Sequence, residues 1–225
     1  MNELSAIFGG PAPWLVGTLS SLPPSCPLAG DIVEVRLDQK NRPADWLAQC
    51  AAIQSAGHPV LLTVRLRAEG GGWETDDDQR LELYKAGLRE LAAADVELNS
   101  RISGEVAREA ARLNKASVIS FHDFKKTPPL AELRAIIERQ HAIGSIAKVS
   151  TVIAQPGDAD TLRSLLNSGW KKPVCVIGMG AAYSETRIEF PRLGSCLTYG
   201  YLDKPAAPGQ ISAAELGRRL RPSKP

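Results

Sequence analysis

Eight short apolar segments recur along the chain, and their spacing restricts the fold more than any other feature. Most of them are continuous apolar runs without polar alternation, which is typical of parallel strands that are buried on both faces. The predicted strands are 14–18, 32–37, 60–65, 95–98, 117–122, 145–150, 173–177 and 196–199. Helical patterns lie between several of them, at 78–93, 102–114, 129–143 and 158–169.

This alternation predicts a (β/α)8 TIM barrel. Successive predicted strands begin roughly 20 to 35 residues apart, which is the spacing of repeated strand–helix units. Eight such units fit within 225 residues as one α/β domain, 1–225. No G-x-G-x-x-G sequence follows the first strand, which argues against an open, doubly wound sheet.

The connection between the first two predicted strands is too short for a crossover helix. Its 13 residues include three prolines, so we expect an irregular loop or a single turn, and hence a truncated first crossover. We expect a partner subunit or the N-terminal extension, 1–13, to cover the side of the barrel that this leaves exposed. Residues 222–225 are predicted to form a frayed tail.

The composition favours a cytoplasmic globular protein. The residues are 44% hydrophobic and 23% charged, and the net charge of +2 gives no indication of nucleic-acid binding. The start lacks a signal-peptide pattern, and no apolar run approaches the roughly 18 residues of a membrane span, so we expect no membrane association. The four cysteines show no C-x-x-C spacing and are predicted to be free thiols. The three histidines lack metal-ligand spacing, so we expect no metal.

His122 and Lys148 each lie near the end of a predicted strand, 26 residues apart. That distance holds a strand end, one crossover helix and the next parallel strand, so both side chains would reach the same edge of the sheet. A lysine amine can attack a carbonyl carbon, and a histidine can carry the protons that such a reaction moves. Taken alone, each residue has a plainer interpretation, as a structural histidine and as an edge-strand lysine.

Ionisable residues also lie at most of the other predicted strand ends. Glu34, Arg36 and Asp38 alternate along the second strand, so all three would face the barrel interior while the intervening apolar residues face the helices. A structural layer of ion pairs is the plainer interpretation, because buried charges are costly unless they pair or meet a polar ligand. Further ionisable residues near strand ends are Arg65, Arg67, Glu69, Asp95, Glu97, Asp123 and Arg187. Because strand ends converge at one face of a barrel, the whole set predicts an active site there.

Together these residues resemble the type I 3-dehydroquinases. The resemblance extends over residues 34–210 and rests on motifs whose order and approximate spacing are specific. The motifs are E-x-R-x-D at 34–38, T-x-R-x-x-x-E-G-G at 63–71, D-x-E-L at 95–98, S-x-H-D-F at 120–124, the lysine at 148, M-G at 179–180, R-I at 187–188 and A-P-G-Q at 207–210.

The resemblance implies a lyase of the shikimate pathway, without metal or cofactor, that dehydrates 3-dehydroquinate to 3-dehydroshikimate. By this resemblance Lys148 forms an imine with the substrate ketone, and the imine acidifies the neighbouring C–H group. His122 removes that proton and later protonates the departing hydroxyl, while Glu69 orients His122. The resemblance also implies a homodimer.

The same resemblance implies a set of substrate-binding residues. Arg187, together with Gln210, would hold the substrate carboxylate, whose two oxygens suit a guanidinium fork. The other residues implied to line the pocket, and to contact the ring hydroxyls or the groups that hold them, are Glu34, Arg36, Arg65 and Met179.

Three departures from the family pattern have expected consequences. Ala206 stands where the family usually has a serine in the loop that closes over the carboxylate, so we expect weaker substrate binding. Tyr183 and Thr186 stand where a glycine and a serine are usual, so we expect the turn before Arg187 to differ from that of the family. The truncated first crossover is the third.

Two other functions remain open at this point. A class I aldolase also uses a strand-6 lysine, but usually has phosphate-binding glycines late in the barrel and fewer arginines. A non-catalytic relative would bind a cyclic hydroxy-acid, and the altered lid favours it slightly. The joint presence of Glu69, His122, Lys148 and Arg187 argues against it, because a binding protein needs no amine opposite a base.

Overall fold

The computed structural model describes residues 3–39, 42–74, 76–205 and 209–221. The eight strands are β1 Trp14–Leu19, β2 Ile32–Arg36, β3 Val60–Thr63, β4 Ala93–Glu97, β5 Ala116–Asp123, β6 Ile146–Val152, β7 Val174–Met179 and β8 Leu197–Tyr201. The α-helices are α1 Glu3–Phe8, α2 Trp46–Ser55, α3 Asp77–Glu90, α4 Ser103–Arg112, α5 Leu130–Ile143, α6 Pro156–Leu166, α7 Thr186–Arg192 and α8 Ala213–Leu220. This confirms the predicted (β/α)8 TIM barrel.

The sheet is an almost closed barrel of parallel strands. Its hydrogen-bonded order is β7-β6-β5-β4-β3-β2-β1-β8, and every ladder in that order is parallel. The remaining gap lies between β7 and β8, where the backbone N–H of Cys196 donates to the carbonyl oxygen of Val174 at 2.8 Å. All C-terminal strand ends therefore lie at one face of the barrel.

Outward-facing strand residues form a continuous apolar layer beneath the helices. Val33, Val35 and Leu62 are buried in this layer, and Leu88 of α3 and Leu133 of α5 belong to it as well. Each such side chain contributes about 1.5–3 kcal/mol when it is fully buried. The alternation predicted for the second strand is thus confirmed, because these valines flank an inward-facing Glu34.

The N-terminal ends of the strands enclose a second apolar cluster. It contains Trp14, Val16 and Ile32 from the first two strands, and α1 adds Leu4 and Phe8 to it. The rings of Phe8 and Trp14 meet edge to face, with centroids 5.3 Å apart. Helix α1 therefore packs against the N-terminal end of the barrel, rather than over the truncated crossover as the sequence had suggested.

The truncated first crossover is confirmed. No helix lies between β1 and β2, a connection that falls wholly within the described part of the chain. Its own side chains Leu22, Cys26 and Leu28 pack against the outer apolar layer. This explains how so short a connection covers its side of the barrel without a helix.

The helix boundaries differ from the predicted ones by a few residues. Helix α6 begins at Pro156, two residues before the predicted start, because Gln155 and Asp158 form a reciprocal capping box and proline suits the first turn. Helix α3 ends at Glu90, since Leu91 already has an extended backbone (φ −97°, ψ 164°) and β4 begins at Ala93. No helix of the described residues is long and apolar enough to cross a membrane.

Candidate active site

A pocket opens where the C-terminal strand ends converge. All nine residues that the sequence proposed as catalytic or substrate-binding line it, and the structure adds six others. The lining residues are Thr18, Glu34, Arg36, Arg65, Glu69, Gly70, His122, Phe124, Lys148, Ser150, Ile177, Met179, Arg187, Tyr199 and Gln210.

Lys148 lies on β6 with its side chain directed into the barrel and 4% of its surface exposed. Its backbone carbonyl accepts a hydrogen bond from Nε2 of Gln140 on α5 at 2.7 Å, which ties the strand to the helix behind it. Its Nζ donates to Oδ2 of Asp95 at 2.8 Å and lies 4.2 Å from the ring centroid of Tyr199. The amine is therefore held in one place between a carboxylate and an aromatic ring.

Asp95 is the buried carboxylate beneath the amine. Its Oδ1 accepts hydrogen bonds from Nη2 of Arg65 at 2.7 Å and from Oγ of Ser120 at 2.7 Å. Burial alone would raise the pKa of Asp95, but Arg65 and Lys148 outweigh it and hold that pKa well below its usual range. The carboxylate consequently stays ionised and shares its charge between two cations.

His122, on β5, forms a pair with Glu69. Oε2 of Glu69 lies 2.8 Å from Nδ1 of the imidazole and also accepts a hydrogen bond from the backbone N–H of His122 at 3.0 Å. Glu69 lies on the single turn that follows β3, which ends at Gly70 with φ +79°. A side chain at Gly70 would also collide with the ring of Phe124, since an added Cβ would lie 2.4 Å from it.

The electrostatics of this pair favour a neutral imidazole. Burial, reinforced by the nearby cations Arg65 and Lys148, lowers the pKa of His122 well below 6.5. Burial likewise raises the pKa of Glu69 to about 7. At neutral pH the imidazole is uncharged, and with Nδ1 directed at Glu69 it can use Nε2 to accept a proton.

Glu34 and Arg36 lie side by side on the inward face of β2, as the alternation predicted. Glu34 accepts hydrogen bonds from the hydroxyls of Thr18 and Thr63, both at 2.8 Å. Arg36 makes two hydrogen bonds to Asp38, each 2.8 Å long. The two pocket residues are thus held in place by neighbours and keep their polar groups at the pocket wall.

Arg187 lies in the first turn of α7, and 8% of its surface is exposed. Its Nη1 donates to the carbonyl oxygen of Tyr199 at 3.1 Å, and burial lowers the pKa of its guanidinium below the ordinary arginine value. Among the described residues, no carboxylate lies within 4.0 Å of its guanidinium. A buried cation without an anionic neighbour is suited to bind an anion.

The altered residues before Arg187 hold the turn together. The hydroxyl of Thr186 donates to the carbonyl oxygen of Tyr183 at 2.7 Å, which closes the connection between β7 and α7. Met179, at the end of β7, and Gln210 complete this side of the pocket. Ala206 lies outside the described residues, so the predicted effect of the missing serine stays a prediction.

The two residues that contact the Lys148 amine were given no role from the sequence. Asp95 was noted among the ionisable residues near strand ends and in the D-x-E-L motif, but its pairing with Lys148 was not predicted. Tyr199 was placed in the last strand without a role. Side chains alternate between the two faces of a strand, and this alternation along β8 could have predicted that the side chain of Tyr199 faces the barrel interior.

The fold and this site define a (β/α)8-barrel enzyme that places a lysine, a histidine–glutamate pair and buried arginines in one pocket. The family model described as type I 3-dehydroquinase matches residues 18–224. The 3-dehydroquinate dehydratase of Methanocella arvoryzae is 35% identical over 196 residues, which cover 86% of this chain and 88% of that protein. The 3-dehydroquinate dehydratase of Pyrobaculum aerophilum is 38% identical over 184 residues, which cover 80% of this chain and 60% of that protein.

Solved structures of 3-dehydroquinate dehydratases have the same fold. The 3-dehydroquinate dehydratase of Geobacillus kaustophilus superimposes with a TM-score of 0.83 at 22% identity, covering 95% of this chain and 91% of that one. The type I enzyme of Clostridium difficile, solved with covalently modified comenic acid, gives a TM-score of 0.81 at 25% identity, covering 95% and 93%. The chain belongs to the type I 3-dehydroquinase family. This confirms the resemblance on which the sequence prediction rested and argues against the aldolase alternative.

Proposed function

We propose that the protein dehydrates 3-dehydroquinate to 3-dehydroshikimate in the shikimate pathway, through an imine on Lys148. The observation that carries the mechanism is that Lys148, which pairs with the buried Asp95, and His122, which pairs with Glu69, line the same pocket. Their strands are neighbours in the barrel, and Lys148 pairs in register with Ser120, two residues before His122.

The amine of Lys148 attacks the ketone carbon of the substrate, and the ketone oxygen leaves as water. The imine that results withdraws electrons from the adjacent carbon and makes its C–H group acidic. The neutral imidazole of His122 accepts that proton, and the resulting enamine expels the neighbouring hydroxyl, to which His122 returns a proton. Water then hydrolyses the imine and regenerates the amine.

Binding of the substrate carboxylate falls to Arg187. Its guanidinium is buried without an acidic neighbour among the described residues, so a bound carboxylate would supply the missing charge. Gln210 lines the same pocket and is proposed to hydrogen-bond the carboxylate. Glu34 and Arg36 are proposed to contact the ring hydroxyls, and Met179 to supply an apolar wall.

Trapping the covalent intermediate tests this proposal directly. The protein is incubated with 3-dehydroquinate and borohydride, and the product is digested and mapped by mass spectrometry. We expect turnover without borohydride, and with borohydride a reduced adduct on the peptide that contains Lys148. If folded protein shows neither turnover nor the reduced adduct while a control enzyme is active, the proposed dehydratase function is wrong and the non-catalytic binding protein is favoured instead.

Glu69→Gln is expected to remove a pH dependence centred near neutrality. The pKa of Glu69 is about 7, so the carboxyl is ionised above that pH and accepts the Nδ1 proton of His122. Below it the protonated carboxyl donates to Nδ1, the imidazole proton moves to Nε2, and the base is lost. Wild-type kcat/KM should therefore fall as the pH drops through about 7.

The glutamine of the variant does not titrate, so this limb should disappear from its profile of kcat/KM against pH. Turnover at its optimum should be roughly tenfold to a hundredfold lower, because the imidazole is less firmly oriented. The control is Glu132→Gln, a change at an exposed glutamate, which should leave the profile of kcat/KM against pH unchanged. An unaltered limb in Glu69→Gln would assign the titration to another group.

Tyr199 gives a prediction that separates its ring from its hydroxyl. The ring face lies 4.2 Å from Nζ of Lys148, whereas the buried hydroxyl has no hydrogen-bond partner among the described residues. Tyr199→Phe keeps the ring and should leave kcat/KM within about twofold of wild type. Tyr199→Leu loses the cation–π contact and should lower kcat/KM about tenfold. Equal losses in steady-state kinetics of the two variants would show that the hydroxyl matters instead.

The proposal extends to the surroundings of the enzyme. A cytoplasmic location is supported by four cysteines that are all free thiols. A homodimer is proposed from the family likeness, with a small-molecule substrate and no nucleic acid as partner. Light scattering coupled to size exclusion tests the dimer, and a mass near 24.2 kDa would refute it.

A further inference from the structure

Arg80 is a charged residue that is fully buried outside the pocket. It lies on α3, has 0% of its surface exposed and is not among the residues that line the site. Its Nε donates to the carbonyl oxygen of Val64 at 2.7 Å, and its Nη1 donates to the hydroxyl of Ser100 at 2.9 Å. Its Nη2 forms an ion pair with Glu97. A cation this deep in a protein is costly, so its position calls for a reason.

Glu97 connects Arg80 to the active site. It lies at the end of β4, with a side chain that is wholly buried. Besides Arg80, it accepts a hydrogen bond from the backbone N–H of Leu66 at 2.9 Å and lies 3.1 Å from Nη1 of Arg65. Arg65 in turn binds Asp95, the partner of Lys148. Five buried charges of alternating sign thus run from α3 to the amine.

Arg65 is the shared member of this chain of charges. One of its nitrogens donates to Asp95 at 2.7 Å, while the other lies near Glu97 and also donates to Ser120 at 2.6 Å. Without Arg80, Arg65 would be the one cation within 4.0 Å of Glu97 among the described residues. The two carboxylates would then compete for it, and Asp95 would lose part of its neutralisation.

We propose that Arg80 is a positioning residue of the active site. It neutralises Glu97, so that Arg65 stays paired with Asp95. Asp95 then holds the Lys148 ammonium less tightly than it would without Arg80. The proposal rests on the function proposed above. The less tightly the ammonium is held, the more free amine is present at a given pH to attack a ketone.

The charged and titratable groups that face Lys148 come from the strands around it. They are Glu34 on β2, Arg65 after β3, Asp95 on β4, His122 on β5, Cys175 on β7 and Tyr199 on β8. Those that face Arg80 and Glu97 are Asp77, Tyr84, Arg65 and Glu69. Arg80→Met removes one charge beside this set, at a residue that does not itself line the pocket.

The test measures the free amine of Lys148 without relying on turnover. Wild type and variants are labelled briefly with acetic anhydride over a range of pH, and acetylation of Lys148 is quantified by peptide mass spectrometry. The exposed Lys171 of the same molecule serves as the internal reference. Arg80→Met should move the rise of Lys148 labelling to higher pH, because Arg65 is then shared between Glu97 and Asp95 and Asp95 binds the ammonium more tightly.

Three further variants separate electrostatics from packing. Arg80→Met with Glu97→Gln removes both members of the pair and should return the labelling curve toward that of wild type. Arg80→Lys keeps the charge and should shift the curve less than Arg80→Met. Arg89→Met, an exposed arginine of the same helix, should leave it unchanged. The same shifts should appear in the pH dependence of kcat/KM.

A normal labelling curve in folded Arg80→Met would overturn the proposal, as would a double variant no closer to wild type than the single one. If Arg80→Met does not fold, Glu97→Gln alone decides, because it frees Arg65 for Asp95 and should shift the curve to lower pH. An unchanged curve there would also overturn it. Failure of the proposed function would appear separately, as labelling shifts in a protein that does not turn over 3-dehydroquinate.

Discussion

Lys148→Met is expected to lower the turnover of 3-dehydroquinate by at least about 10⁴-fold and to abolish the borohydride adduct. The thioether of methionine cannot form an imine, and the structure offers no second amine within the pocket among the described residues. Without the imine, the C–H group beside the ketone keeps its low acidity and His122 has no proton that it can remove at a useful rate.

The Lys148→Met variant should fold, because the buried carboxylate of Asp95 keeps its other hydrogen-bond partners. Asp95 still accepts hydrogen bonds from Arg65 and Ser120, each at 2.7 Å, so the charge left behind is not isolated. Substrate should also bind, since Arg187 is unaffected. Lys171→Met, at an exposed lysine, is the matched control and should retain full turnover. Substantial turnover by a folded Lys148→Met protein would refute the imine mechanism.

His122→Gln is expected to lower kcat by about 10² to 10⁴-fold while leaving Lys148 able to form the adduct. Glutamine has nearly the size of histidine and can still hydrogen-bond Glu69, but it cannot accept and return a proton. The elimination should slow more than imine formation does. Borohydride should therefore trap adduct in this variant, more slowly than in wild type, although little product is released.

His141→Gln is the matched control for this change. His141 lies on α5, where its Nε2 is 3.1 Å from the carbonyl oxygen of Pro173, and it does not line the pocket. Single-turnover kinetics with mass analysis separates adduct formation from product release. An equal loss of adduct and product in His122→Gln would mean that the imidazole acts chiefly in imine formation instead.

Much of the architecture could be predicted from local patterns, because they depend on neighbouring residues. Continuous apolar runs give buried parallel strands, and three prolines in a 13-residue connection exclude a helix. Alternation along the second strand correctly assigned Glu34 to the interior and Val35 to the helices. The position of α1 was beyond such reasoning, since a short apolar segment can pack against any exposed apolar surface.

The order of residues along the chain established which side chains reach the pocket, but the closed barrel decided which of them meet. Lys148 and Asp95 are separated by 53 residues, and Arg65 and Asp95 by 30, so no local pattern relates them. Their contacts depend on strand register and on closure of the sheet, which bring distant strand ends together in one small, largely buried volume. Burial there also sets the pKa values of His122 and Glu69, because the cost of removing a charge from water depends on the surrounding volume rather than on sequence neighbours.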